Sequence, residues 1–308
     1  MTPRRTLIEM FILIFAAFLC VINARTEDKA GAQGATAEVN GVRLYYEITG
    51  NGPPLVLIHG WSSNAICWDD QVPAFQKGYR VLRYDRRGFG RSCGLPDVTA
   101  DPADLDALLQ HLGIESAVVL GHSQGGYVAQ GFVQNYPRRV NALILYGAAP
   151  PEGFGVLWSG PDAWPLAQLK EAARTKGIDA IWQVLANHPL LSGDQMSPET
   201  LTRVQKIRSM YSGADLLNDL PQSGQTARPT MARIVDINVP TLVITGETEM
   251  PYYRLVGDAL AYAIPNASRV VLKNGGHRVN ASQPAAFNSA ILEFLKKRGE
   301  AHEKTRIR

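Results

Sequence analysis

The chain has 308 residues, enough for one large α/β domain with an insertion or for two small domains. Hydrophobic residues make up 45% and charged residues 19%, the balance of a globular protein with a sizeable core. The formal net charge is +3, and no dense basic stripe runs through the folded region, which argues against a nucleic-acid binder.

At the N-terminus, Arg4 and Arg5 precede the apolar run Met10 to Ile22. A charged stretch followed by an apolar segment of this length is the pattern of an export signal, whereas a membrane span needs about 20 apolar residues. Leu7 and Ile8 lengthen the segment. Residues 1–24 are therefore expected to be a cleaved signal or a retained anchor, with the protein exported or held at a membrane through this segment only. Residues 25–35 are small and polar and read as a linker. Cys67 and Cys93 lie beyond it. One pair is no framework for a chain this long, so two separate, partly buried thiols are expected.

Val39-Asn40-Gly41-Val42 signals a tight hairpin, because Asn-Gly supplies the positive φ angles such a turn requires. Apolar runs then alternate with helical patterns. Strands are predicted near 55–59, 80–84, 117–121 and 141–146, and helices near 66–76, 102–112 and 125–135. Asp101-Pro102 fits an N-cap followed by a proline at the first helical position. Repeated βα units with apolar strands imply a mostly parallel sheet with helices on both faces. The alternation stops at Ala148-Ala149-Pro150-Pro151. Residues 152–235 carry helical patterns without a convincing strand and interrupt the βα rhythm. The rhythm returns at Pro240 to Thr245 and Arg269 to Leu272, before a last helix over 284–297 and a polar tail over 298–308. The core is thus assigned to 36–151 and 236–297.

The most informative stretch is Gly121-His122-Ser123-Gln124-Gly125, a G-x-S-x-G pattern between an apolar run and a helix. In that strand–turn–helix context it becomes a nucleophile elbow, which lifts a serine hydroxyl clear of the sheet. Gly246-Glu247-Thr248-Glu249 and Asn274-Gly275-Gly276-His277 each follow a later apolar run. Serine, acid and histidine, in that order and each just past a strand, resemble the triad of the α/β-hydrolase superfamily. His59-Gly60-Trp61 and Asp85-Arg86-Arg87-Gly88-Phe89-Gly90-Arg91-Ser92 extend the likeness, which covers residues 36 to 297.

The resemblance implies an eight-stranded, mostly parallel sheet with residues 152–235 as a helical cap inserted after the sixth strand. It implies Ser123 as nucleophile and His277 as the base that takes its proton. It places the acid at Glu249, where aspartate is more usual, with Glu247 as the fallback. The oxyanion would be held by the backbone N–H groups of Trp61 and Gln124. The implied activity is hydrolysis of a small carboxylic ester, lactones included, without cofactor. A C–C bond hydrolase, a cofactor-free perhydrolase or a non-catalytic ligand-binding protein would carry the same residues.

The remaining histidines have plainer readings. His59 and His122 belong to the turn motifs and should make structural hydrogen bonds. His111, His188 and His302 have no acidic or cysteine neighbours at ligand spacing, so no metal site is expected. Gly88 and Gly90 lack the spacing of a dinucleotide fingerprint. The arginines of that motif are read as ties between loops. The aromatic side chains Trp158, Trp164, Trp182 and Tyr211, with Met196 and Met210, would build the cap's own core or, for a few of them, line an acyl pocket.

Overall fold

The computed structural model describes residues 34–306 apart from 157, 161 and 221–227. Residues 1–24, expected to be an export signal or anchor, lie outside the described residues, as does most of the linker. Among the described residues no helix is long and apolar enough to cross a membrane.

Asn40 at φ 46° and Gly41 at φ 75° close a two-residue turn between β1 (Ala35–Val39) and β2 (Val42–Thr49). β3 (Pro54–Ile58), β4 (Arg80–Tyr84), β5 (Ala117–His122), β6 (Val140–Tyr146), β7 (Thr241–Gly246) and β8 (Ala267–Leu272) follow. Among the described residues these eight strands form one sheet in the order β1-β2-β4-β3-β5-β6-β7-β8. β2 pairs antiparallel with β1 and β4, and the other pairs are parallel.

The central strands are apolar throughout because both faces are covered. Leu55, Leu57, Val118, Leu120 and Ile144 point to one face, where Trp68, Phe75 and the final helix cover them. Val56, Ile58, Val119, Leu143 and Val243 point to the other. There the helices Asp101–His111, Gln124–Asn135 and Pro251–Ala263 supply Leu105, Leu108, Phe132, Val256 and Leu260.

Several expected elements differ in detail. The helix predicted over 66–76 is two short pieces, a 3-10 turn Ala65–Trp68 and a helical turn Val72–Phe75. Asn64 caps the first by accepting from the Ile66 N–H at 3.0 Å, and Pro73 has no N–H with which to continue it. Asp101 is the first residue of its helix rather than the cap. Asp97 accepts from the Thr99 and Ala100 N–H groups instead, which leaves the Asp101 carboxylate for Arg86. The last helix, Pro284–Arg306, runs on through most of the segment expected to be a tail, where Glu, Ala, Lys and Arg favour helix. Cys67 is a free thiol and does not pair with Cys93. Cys93 is disulfide-bonded, so the expectation of two separate thiols holds for Cys67 alone.

Between β6 and β7 the chain forms the helices Leu166–Lys176, Ile181–Val184, Pro189–Ser192, Pro198–Ser209 and Ala214–Leu217. Glu152 and Thr230 form an isolated bridge, so the two ends of this insertion lie side by side. Its apolar centre includes Leu169, Ile181, Leu185 and Leu216 and packs against Phe89 and Trp61 of the sheet's loops. That contact sets the insertion over the carboxyl ends of the strands.

Candidate active site

Ser123 stands between β5 and the helix Gln124–Asn135 with φ 54° and ψ −118°. A non-glycine residue there stores strain of about 1–3 kcal/mol and needs its surroundings to hold it. They do so through the backbone: its N–H donates to the Tyr146 carbonyl at 3.0 Å, and its own carbonyl accepts from Gly126 at 2.9 Å and Ala149 at 3.0 Å. The flanking glycines are required by proximity. A β-carbon at Gly121 would lie 2.3 Å from the Gly125 carbonyl oxygen, and one at Gly125 2.4 Å from that of Ile58.

The loops after β7 and β8 bring Glu249 and His277 together. His277 Nδ1 lies 2.9 Å from Glu249 Oε1, with both side chains buried. A carboxylate at Nδ1 fixes the proton there and leaves Nε2 as the basic nitrogen. Gly147, at φ 47°, opens the space beside this pair, since a β-carbon there would lie 3.1 Å from Nδ1 and 3.2 Å from Glu249 Oε2. Glu247 is exposed and accepts from the Asn274 N–H at 2.9 Å. Of the two acidic candidates, only Glu249 is paired with the histidine.

The backbone around His277 is held from three sides. Its carbonyl accepts from the Tyr146 hydroxyl at 2.6 Å and contacts His122 Nε2 at 2.9 Å. Asp194, from the insertion, accepts from the Gly276 N–H at 2.8 Å and the Arg278 N–H at 2.7 Å. Asp194 carried no sequence signal, because its partners lie 82 and 84 residues away.

Gln124 is the first residue of its helix, so its N–H has no acceptor within the helix. The loop after β3 abuts the elbow: a β-carbon at Gly60 would lie 3.1 Å from Ser123 Cβ. Trp61 follows, its indole N–H donating to Asp215 at 2.5 Å and its ring edge-on to Trp164 at 5.0 Å. His59 is a structural tie, as the turn motif suggested. Its Nδ1 contacts the Gly60 carbonyl at 2.8 Å and its Nε2 accepts from the Arg86 N–H at 2.9 Å. Burial, and then the Arg86 charge, hold its imidazole well below the usual histidine range. Arg86 and Arg87 tie their loop to the helix Asp101–His111 through Asp101 and Asp104, and Arg91 pairs with Asp85 of the same loop.

Ser123, His277, Trp61 and Gln124 share a cavity of about 730 Å³. The insertion contributes Trp158, Trp164, Trp182, Leu190 and Ile207 to its wall. Tyr211 and Met210 stay in packing roles, Tyr211 stacked beside Phe89 and Met210 sulfur near Asn64 Nδ2 at 3.7 Å. Tyr253 also lines the cavity, a residue that no motif singled out. Its ring lies 4.8 Å from that of His277, and its hydroxyl meets the Ser123 side chain. Burial, with the Glu249 charge behind it, raises the Tyr253 phenol and keeps it neutral. Among the described residues no three His, Cys, Asp or Glu side chains are grouped to hold a metal ion.

A strained serine, a buried carboxylate–imidazole pair and the N–H at the start of the Gln124–Asn135 helix, all at one cavity, are groups that can activate a hydroxyl and stabilise an oxyanion. The chain is 30% identical over 281 residues to a 2-hydroxy-6-oxononadienedioate/2-hydroxy-6-oxononatrienedioate hydrolase of Burkholderia vietnamiensis, covering 83% of this chain and 92% of that one. It is 29% identical over 269 residues to 3-oxoadipate enol-lactonase 2 of Acinetobacter baylyi, covering 85% and 96%. The solved structure of a thermophilic esterase from Thermogutta terrifontis superposes with a TM-score of 0.67 at 28% identity, covering 87% and 99%. The model of the alpha/beta hydrolase family matches residues 55–290, and with its eight-stranded sheet the chain belongs to that family.

Proposed function

We propose that the protein is a serine hydrolase that cleaves carboxylic esters, lactones among them, through an acyl-enzyme on Ser123. The observation that carries this reading is the 2.9 Å contact of His277 Nδ1 with Glu249 in the cavity that also holds the Ser123 elbow. The Ser123 oxygen attacks the ester carbonyl carbon as its proton passes to His277 Nε2. The carbonyl oxygen becomes an oxyanion held by the Gln124 and Trp61 N–H groups. The C–O bond to the alcohol breaks, and His277 returns the proton to that leaving oxygen. Water then attacks the acyl-enzyme by the same steps, releasing the acid and restoring Ser123. Glu249 stays ionised throughout and stabilises the imidazolium.

In this reading the insertion over residues 152–235 acts as a cap that excludes water and shapes the acyl pocket. The similarity to an enol-lactonase and to an esterase supports ester-type substrates. The test is a serine-reactive phosphonate probe followed by turnover of short-chain p-nitrophenyl esters. Labelling at Ser123 with turnover supports the proposal. Labelling with no ester turned over would make the protein a binder or a hydrolase of another bond. Export or anchoring through residues 1–24 is proposed on the Arg4-Arg5 and Met10–Ile22 pattern. Recovery of the full-length chain as a soluble cytosolic protein would refute it.

A further inference from the structure

The cavity wall carries positive charge that chemistry on Ser123 does not use. Arg208, at the end of the helix Pro198–Ser209, and Arg278, the residue after His277, both line it. Among the described residues neither guanidinium forms an ion pair. Arg203, on the same helix, is already neutralised by Asp70 at 3.0 Å. Arg208 lies over the Trp182 ring, 4.7 Å from its centroid. Arg278 gives Nη2 to the Leu191 carbonyl at 2.7 Å, while its Nε is buried without a partner.

The neighbouring carboxylates have other partners. Asp194 accepts from two backbone N–H groups and the Ser282 hydroxyl. Asp215 accepts from the Trp61 indole and, at 2.6 Å, the Tyr211 hydroxyl. Asp219, at the cavity's rim, is exposed. Burial lowers the Arg278 guanidinium from its usual range; the Asp194 charge opposes this, and repulsion from Arg208 adds to it. Two cations that repel each other in a partly desolvated cavity are relieved by an anion placed near both.

We propose that Arg208 and Arg278 form a carboxylate-binding subsite, so that the preferred substrates are esters or lactones carrying a second, ionised carboxylate. The planar guanidinium fork matches a carboxylate in geometry as well as charge, and the Trp182 face holds the Arg208 plane. The inference rests on the reading of Ser123 as an ester-cleaving nucleophile and adds the class of substrate to it.

The test measures kcat/KM on two matched pairs, each value divided by the hydroxide-catalysed rate of the same ester. The acyl-side pair is p-nitrophenyl hydrogen adipate and its methyl ester. The alcohol-side pair is 4-acetoxybenzoate and its methyl ester. The charged member of at least one pair should be preferred by roughly tenfold at low ionic strength, with the preference shrinking as salt is added. Arg208→Gln and Arg278→Gln should each lower that charged-to-neutral ratio by roughly tenfold. Arg208→Gln, at a helix end and away from the histidine loop, carries the test if Arg278→Gln does not fold. A wild-type ratio at or below one in both pairs overturns the subsite, and so does a ratio that Arg208→Gln leaves unchanged. Neutral esters cleaved in a Ser123-dependent way without charge preference would overturn this inference and leave the proposed function standing. No turnover of any ester by the wild type would overturn both.

Discussion

Nη2 of Arg86 lies 2.6 Å from Oε1 of Gln124, and the same nitrogen reaches the Gly60 carbonyl at 3.3 Å. One fully buried guanidinium thereby joins the helix start at Gln124 to the loop at Gly60, the two places proposed to supply the oxyanion's N–H donors, while Nη1 pairs with Asp101 at 2.8 Å. Gln124→Ala keeps the backbone donor but removes this tie. It should lower kcat by roughly tenfold with little change in KM, because misplacement of donors is felt most in the transition state. Arg86→Met should instead destabilise the fold by about 3–5 kcal/mol, since it leaves Asp101 buried without its partner. Steady-state kinetics on p-nitrophenyl acetate and urea unfolding separate the two effects. Equal losses in kcat and in stability for Gln124→Ala would reduce the tie to a structural strut.

Ser123→Ala should abolish ester hydrolysis by about 10⁴-fold or more and leave the melting temperature near that of the wild type. The β-carbon is retained, so the elbow keeps its packing. A purified alanine variant with a tenth of wild-type turnover would exclude Ser123 as the nucleophile.

Glu249→Gln should slow turnover by roughly 10²–10⁴-fold, because the amide supports the wrong histidine tautomer. Glu247→Gln should do far less, since Glu247 is exposed and touches only the Asn274 N–H. Reversal of that ranking in side-by-side kinetics would move the acid to Glu247.

Turnover should fall as the medium becomes acidic, because an imidazolium at His277 cannot accept the serine proton. A separate acid loss belongs to stability. His59 is held neutral in the folded protein, well below the usual histidine range, but takes up a proton when unfolded below about pH 6.5. The unfolded state then binds more protons, so folding stability drops with pH by up to about 1.4 kcal/mol per unit from this residue. Asp101, pushed up to about 6 by burial against the pull of Arg86, acts in the opposite direction between its unfolded value and pH 6. Urea midpoints from pH 7.5 down to 5 should therefore fall more steeply for the wild type than for His59→Asn. Parallel slopes would show that His59 is protonated in the fold.

Trp158 and Trp182 both line the cavity from the insertion, Trp158 stacked on Tyr252 at 5.4 Å. Trp158→Ala or Trp182→Ala should shift preference toward longer acyl chains, since each Å² of ligand surface buried is worth about 25 cal/mol. The rate on acetate esters should change less than the ratio of octanoate to acetate. An unchanged ratio in both variants would take these rings out of the acyl pocket.

Sequence alone determined where the strands and the elbow lie, and the resemblance then set the order of the three candidate side chains. The strands and the elbow each depend on a local rule: apolar runs of strand length, an Asn-Gly turn, and glycines spaced around Ser123. What it left open was decided by contacts between distant loops. Glu247 and Glu249 are two residues apart and alike in chemistry; only the packing of the β7 loop on the β8 loop turns one toward His277 and the other to solvent. Asp194 beneath the histidine loop, Asp215 against Trp61 across 154 residues, Tyr253 beside Ser123, and the charges of Arg208 and Arg278 at the cavity wall became visible only in the folded chain. The physical reason is that periodicity and turn chemistry act over a few residues. The partner of a buried polar group, by contrast, is set by which loops the sheet order brings to the same edge.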